Sequence, residues 1–291
     1  MEGMWNVVIY GGVVPVAVTA LVLLGIWWGG RRLSPATRMG VAVGSALGVG
    51  DLAGHFGIAW PGWPPTDVTD RVPFLVMAGL LAAWLNAVRP GKWFDAWIIR
   101  VVFSLTTALV IVEPVFSDAW KVPATWGILS ALVAVMVLAW FNLDAVAARQ
   151  SGAPLFLPIV LLALGTSATL AISGVAVQGM LAGVLAASLV GAWLLTTWHI
   201  PSLTLARGGT SIVVVALSSL LLVGHFYANV PTTSLVLLAA SPLALWAAEF
   251  KTFKGRAPWL RTLVSSVAIL IPIGLAIGFA VAAMPEETYY Y

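Results

Sequence analysis

The stretch GVAVGSALGVGDLAGHFGIAWP, residues 40–61, decides how the rest of the chain is read. Gly40, Gly44 and Gly48 recur every fourth residue, and Gly50 and Gly54 do the same. Small residues at that spacing share one helix face and let neighbouring helices approach closely. Asp51 and His55 are also four apart and therefore stack on one face of the same helix. A carboxylate inside an apolar span costs a few kcal/mol on insertion scales and normally faces protein or water. The stretch reads as a central membrane helix carrying one polar spot.

Working outward, the whole chain agrees with that reading. Of 291 residues 61% are hydrophobic and only 9% charged, with a mean hydropathy of +1.02. Soluble domains carry roughly 25% charged residues, so the composition is that of a polytopic membrane protein. Fifteen tryptophans suit the membrane–water boundary. The net charge of +3 comes from basic residues scattered over short loops, with no stripe for nucleic acid. Cysteine is absent, which removes thiolate and disulfide chemistry. The N-terminal MEGMWNVVIYGG has no basic leader, so the first span is expected to be retained rather than cleaved.

Apolar runs and their breakers predict ten helices, at 5–29, 37–60, 72–89, 94–114, 122–147, 154–173, 175–198, 209–229, 231–249 and 260–284. Alternate loops hold Arg31, Arg32, Arg38; Arg89, Lys92; Arg149; Arg207; and Lys251, Lys254, Arg256, Arg261. The others hold only Arg71 and Lys121, beside Asp67, Asp70, Glu113 and Asp118. The positive-inside rule places the first set in the cytoplasm. Both termini are then expected on the non-cytoplasmic side of the cell (inner) membrane.

The GHF of the opening stretch returns in LLLVGHFYANVP, residues 220–231. Shifted by 170, residues 46–61 match 216–231 at Ala46, Leu47, Leu52, Gly54, His55, Phe56 and Pro61, and Trp28 falls on Trp198. A shift of 162 then aligns Trp84, Lys92 and Trp97 with Trp246, Lys254 and Trp259. The eight-residue difference sits in the loop WPGWPPTDVTDR, where a true duplication would tolerate it. Residues 1–115 are therefore read as a first four-helix repeat, 116–174 as two linking helices and 175–291 as a second repeat. Six helices separate equivalents, so the repeat is parallel, with its axis along the membrane normal.

The polar residues inside the spans carry what chemistry there is. Asp51 and His55 are the first candidates for a permeation pathway or binding cavity, with His225 the counterpart of His55. Leu221 replaces Asp51 in the second copy and Thr262 replaces Arg100, so Asp51 and Arg100 are expected either to compensate each other or to lie apart, with Arg100 snorkelling to the surface. A hydrogen-bonded pair that only fixes packing is the plainer reading of Asp51 and His55. Asp144, Glu249, Glu113 and Asp118 fall near helix ends and read as solvated anchors. Pro242, in LLAASPLALW, marks either a kink or a broken helix.

There is no Walker loop, HExxH, GxSxG or dinucleotide fingerprint. The leading expectation is a membrane transport protein passing a small solute or ion between the two repeats. The alternatives are a non-catalytic structural or assembly subunit of a larger membrane complex, and a haem- or metal-binding redox subunit with His55 and His225 as ligands. No cofactor is expected otherwise, and the expected partners are the lipid bilayer and other membrane subunits, not nucleic acid.

Overall fold

The structure is a computed structural model and describes residues 2–88, 93–116, 119, 122–253 and 255–284. The described residues form ten helices and no strand. They are α1 (Trp5–Gly29), α2 (Pro35–Ile58), α3 (Val68–Val88), α4 (Trp93–Val112), α5 (Pro123–Ala147), α6 (Ala153–Ile172), α7 (Ala176–Trp198), α8 (Gly209–Tyr227), α9 (Thr232–Glu249) and α10 (Pro258–Ala282). Nine are long and apolar enough to cross a membrane, and α4 contributes the shorter apolar run Ala96–Val112. That is the make-up of a multi-pass membrane protein. Of the charges used to orient the chain, Arg89, Lys92, Asp118, Lys121 and Lys254 lie outside the described residues.

Most helices begin where expected, and the exceptions have local causes. α3 starts at Val68, four residues early, because Asp70 falls in its first turn, where a carboxylate suits the positive helix end. Pro73 is then accommodated near the start of the helix. α2 is capped by the Ser34 hydroxyl, which accepts from the Thr37 amide, with Pro35 at the first helical position. Two irregularities stand out, the second at Pro242, where the sequence reading has a kink or a broken helix. α1 widens into a π-helix over Ile9–Val13, and α9 tightens into a 3-10 helix over Ser241–Glu249, starting one residue before Pro242. The proline therefore changes the helix type rather than merely bending it.

The helices alternate in direction, as cross-helix contacts at the two ends of the bundle show. At one end Arg100 of α4 meets Asp144 of α5 and Thr210 hydrogen-bonds the same carboxylate from the start of α8. At the other, the Tyr227 hydroxyl donates to the Ile111 carbonyl, Arg71 Nη1 donates to the Val110 carbonyl, and the Gln178 amide donates to Thr69 Oγ1. The first of these ends is the arginine-rich one.

α8 is the axis. It touches α2, α3, α4, α5, α9, α6 and α7, which follow one another around it, while α1 lies outside the α2–α7 seam and α10 outside the α6–α9 seam. A helix that is apolar all round is a buried one, and from Gly209 to Gly224 only Ser218 of α8 is not buried. α2 and α8, the two GHF helices, lie against each other, but α2 is part of the ring and α8 its centre.

Contacts within the ring are a mixture of close backbone approach and single hydrogen bonds. The Trp84 indole N–H of α3 donates to Ser45 Oγ of α2 at 2.8 Å, although half of the ring is exposed at the perimeter. Trp84→Phe keeps the apolar surface and removes that bond. The expected loss is about 0.6 kcal/mol, the usual size of an interhelical hydrogen bond in a membrane. A thermal unfolding series in detergent checks it, and a loss near 3 kcal/mol would mean the indole does more than donate one bond.

Candidate functional site

The site is built on the glycines of α2. A Cβ on Gly40, Gly44 or Gly48 would stand 2.8–3.0 Å from Ala87, Ala83 or Leu80, so one stripe lies hard against α3. The same stripe meets Arg207, Gly208 and Ile212 at the start of α8. A second stripe, Gly50 and Gly54, faces α1 and α7, where Pro15, Thr19, Val184 and Ser188 leave no room for a side chain. The helix is thus gripped from two sides. Asp51 and His55 continue the first stripe by helical spacing, on the face of α2 turned toward α3 and α8.

Both residues are enclosed: Asp51 is 0% and His55 1% exposed. His55 Nδ1 lies 3.4 Å from Asp51 Oδ2, and neither side chain has a hydrogen-bond partner among the described residues. Nearby, Ser188 is fully buried on the α7 face against Gly50, and its hydroxyl is also without a partner. The π segment of α1 lies over the outer part of α2, with the Tyr10 carbonyl 2.9 Å from where a Cβ on Gly54 would stand. In a π turn that carbonyl would accept from the residue five positions on, which is Pro15 and has no N–H.

Two ionisable groups that have only each other give the site a definite chemistry. Moving a proton between carboxylate and imidazole leaves its net charge unchanged. Adding or removing one changes the charge of a dry interior by a full unit, which is costly unless the surroundings move or a counter-charge arrives. The pair can therefore report protonation to the helices around it.

Comparison with known proteins finds no matching family, no similar curated protein and no similar solved structure. Function therefore has to be argued from the site itself.

The other candidates are placed as follows. His225, at the end of α8, is half-buried, with Nδ1 3.2 Å from the Val230 carbonyl and its ring edge-on to Phe226. Arg100 does not pair with Asp51. Its Nε is 3.2 Å from Asp144 Oδ2, Nη2 reaches the same oxygen, and its guanidinium lies 4.0 Å from the centre of the Phe141 ring. Nor does it snorkel to the surface, since its side chain is only 10% exposed. The side chain of Asp95, five residues before Arg100, lies outside the described residues.

Reading acidic residues near helix ends as solvated anchors holds for exposed Glu113 and fails for two others. Asp144 is 18% exposed, paired with Arg100 and hydrogen-bonded by Thr210. Glu249 is 10% exposed and is bound by Arg261 at 2.6 Å and by the Gln150 amide at 3.1 Å. A signal for Asp144 was available. Arg100 needs a partner at its own depth, and Asp144 is the acid one turn inside the next helix from the same end of the bundle.

Proposed function

We propose that this chain is a membrane transport protein for a small solute or ion, with Asp51 and His55 of α2 as the protonatable site linked to movement. The observation that carries the reading is a fully buried carboxylate that lies 3.4 Å from a buried imidazole and has no hydrogen-bond partner among the described residues. Burying such a pair brings a cost that close packing alone does not require, because an apolar pair of the same shape fills the space at no such cost. Both groups are sealed in the arrangement described, so passage needs α2 to part from its neighbours. On the α1 and α7 side Gly50 and Gly54 take the side chains of Pro15, Thr19, Val184 and Ser188, and, among the described residues, a single hydrogen bond, from Thr19 to the Ala46 carbonyl, ties α1 to α2. The Tyr10 carbonyl of the π segment lies at the level of Gly54.

In this reading the two halves related by sequence register, α1–α4 and α7–α10, are duplicated units with an axis along the membrane normal, and the path runs beside α2 and α8. The arginine-rich end faces the cytoplasm by the positive-inside rule, in the cell membrane, with both termini on the other side. The absence of an open path to Asp51 favours a second reading, a structural or assembly subunit of a larger membrane complex that uses the pair to fix helix packing.

The purified protein in liposomes holding a pH-sensitive dye separates the two. Under an imposed potential, wild-type protein is expected to move protons well above empty vesicles, and Asp51→Asn to slow this at least tenfold with unchanged thermal stability. Wild-type flux equal to that of empty vesicles sinks the transport reading. A stoichiometric membrane partner retained through mild purification supports the subunit reading instead.

A further inference from the structure

The arginine-rich end carries a surface cleft of about 360 Å³ where α5 and α9 finish side by side, lined by Arg149, Trp246, Glu249 and Phe250. Local structure brings the α9 residues together. Over Ser241–Glu249 the helix is of the 3-10 type, in which side chains three apart eclipse, so Leu243, Trp246 and Glu249 form one column. Trp246 is anchored by its indole N–H, which donates to Asn142 Oδ1 of α5 at 2.6 Å. The Arg149 guanidinium lies over the ring so fixed, 4.6 Å from its centre.

Stacking holds the guanidinium by its face and leaves its N–H edge open. Arg149 is exposed, and its side chain makes no hydrogen bond or ion pair with the described residues. Glu249, the acid in the wall, is already taken by Arg261 at 2.6 Å and by the Gln150 amide at 3.1 Å. The cleft therefore offers a positioned cation and no free carboxylate in its wall. Exposed Lys251 follows Phe250 directly and adds to the positive potential. The surroundings are those of a membrane boundary. Phe250 is 65% exposed just beyond the end of α9, and toward the middle of the helices Leu243 is 59% exposed and Leu138, one turn before Asn142, 65%.

We infer that this cleft binds an anionic phospholipid, with the phosphate on the N–H edge of Arg149 and an acyl chain running along the α5–α9 seam over Leu138 and Leu243. The guanidinium fork matches two phosphate oxygens, and basic pockets between spanning helices are where anionic heads settle. Charge selects the lipid class. A zwitterionic head also brings an ammonium, and the acid that would meet it, Glu249, is occupied by Arg261 and Gln150. A soluble phosphate lacks the tail that covers the exposed leucines. The assignment does not depend on Asp51 or on transport.

Calorimetric titration of the whole protein in a neutral detergent tests it, with dioctanoyl phosphatidylglycerol, dioctanoyl phosphatidylcholine and inorganic phosphate as probes. Phosphatidylglycerol is expected to bind about fivefold more tightly than phosphatidylcholine, the usual weight of one basic contact at a membrane surface. Arg149→Gln brings it down to the phosphatidylcholine level. Arg32→Gln, which removes an exposed arginine at the same end but outside the cleft, leaves the preference intact. Inorganic phosphate at millimolar concentration does not displace the lipid. Equal binding of the two lipids by the wild type overturns the proposal, and so does a preference that survives Arg149→Gln. A preference lost equally in Arg32→Gln reduces the effect to the general basic charge of that end and overturns it too. Displacement by inorganic phosphate makes the cleft a site for soluble phosphates and overturns the lipid assignment. Because Arg149 is exposed beyond the end of α5, its replacement tests binding without disturbing the core.

Discussion

Arg100→Met is expected to destabilise the protein by about 3–5 kcal/mol, the usual cost of removing one partner from a buried ion pair. The substitution leaves the Asp144 carboxylate at the α4–α5–α8 junction with only the Thr210 hydroxyl, and removes the guanidinium from the Phe141 ring. The double variant Arg100→Met, Asp144→Leu removes both charges and is expected to recover most of the loss, since apolar replacement of a whole buried pair is often neutral or favourable. Reversible unfolding of the four proteins of the cycle in bicelles gives the coupling directly. Additive losses in the double variant, or less than about 1 kcal/mol for Arg100→Met, would show that the two charges are not energetically paired. The result matters for the sequence argument too, because it separates Arg100 from Asp51.

Gly208→Ala is the second large effect. A Cβ there would fall on the Gly40 carbonyl oxygen, far inside van der Waals contact, with Gly40 Cα only 3.2 Å away. Those are backbone atoms, so no side-chain rotation relieves the clash, and α2 must move from the start of α8. Arg207, just before, already holds a positive φ of 67° to turn the chain into α8, which leaves little freedom to adjust. Overpacking of this kind costs typically about 1–3 kcal/mol, and the backbone clash places Gly208→Ala at the upper end. Gly278→Ala in α10, where a Cβ meets nothing within 4 Å, is the matched control and is expected to be neutral or slightly stabilising. Thermal unfolding of the pair measures the difference. Equal midpoints would mean that α2 and α8 approach less closely than described.

Helix number, order and the close packing of α2 were legible in the sequence because each rests on a strong local signal, whereas the expected central place of α2 is taken by α8. Apolar runs of membrane length lie between proline and glycine breakers, and glycines recur at four-residue spacing. The closeness of Asp51 to His55 was legible for the same reason, as helical spacing dictates it. The burial of Asp144 and Glu249 was not. Distance from a helix end says how deep a residue lies along the membrane normal, but not whether a neighbouring helix covers it there. Arg100 found its partner on α5 rather than α2 because lateral neighbours are set by packing. The π segment of α1 and the 3-10 segment of α9 also escaped. Proline at 15 and at 242 announces a disturbance without saying which helix type results.

The placement of α8 constrains how the chain can be assembled. Six of its seven neighbours, α2 to α7, precede it in the chain, and α9 alone follows. Around α8 the order runs α2, α3, α4, α5, α9, α6, α7, so before α9 exists the circle is incomplete at one place, between α5 and α6. With helices inserted in order of synthesis, that gap is the doorway through which α8 reaches the centre. α9 is the door that shuts behind it, and α10 bolts it from outside against α6. A cavity walled by Leu132, Leu162, Leu217 and Leu238 is bounded by α5, α6, α8 and α9, so it lies at the last joint to be sealed.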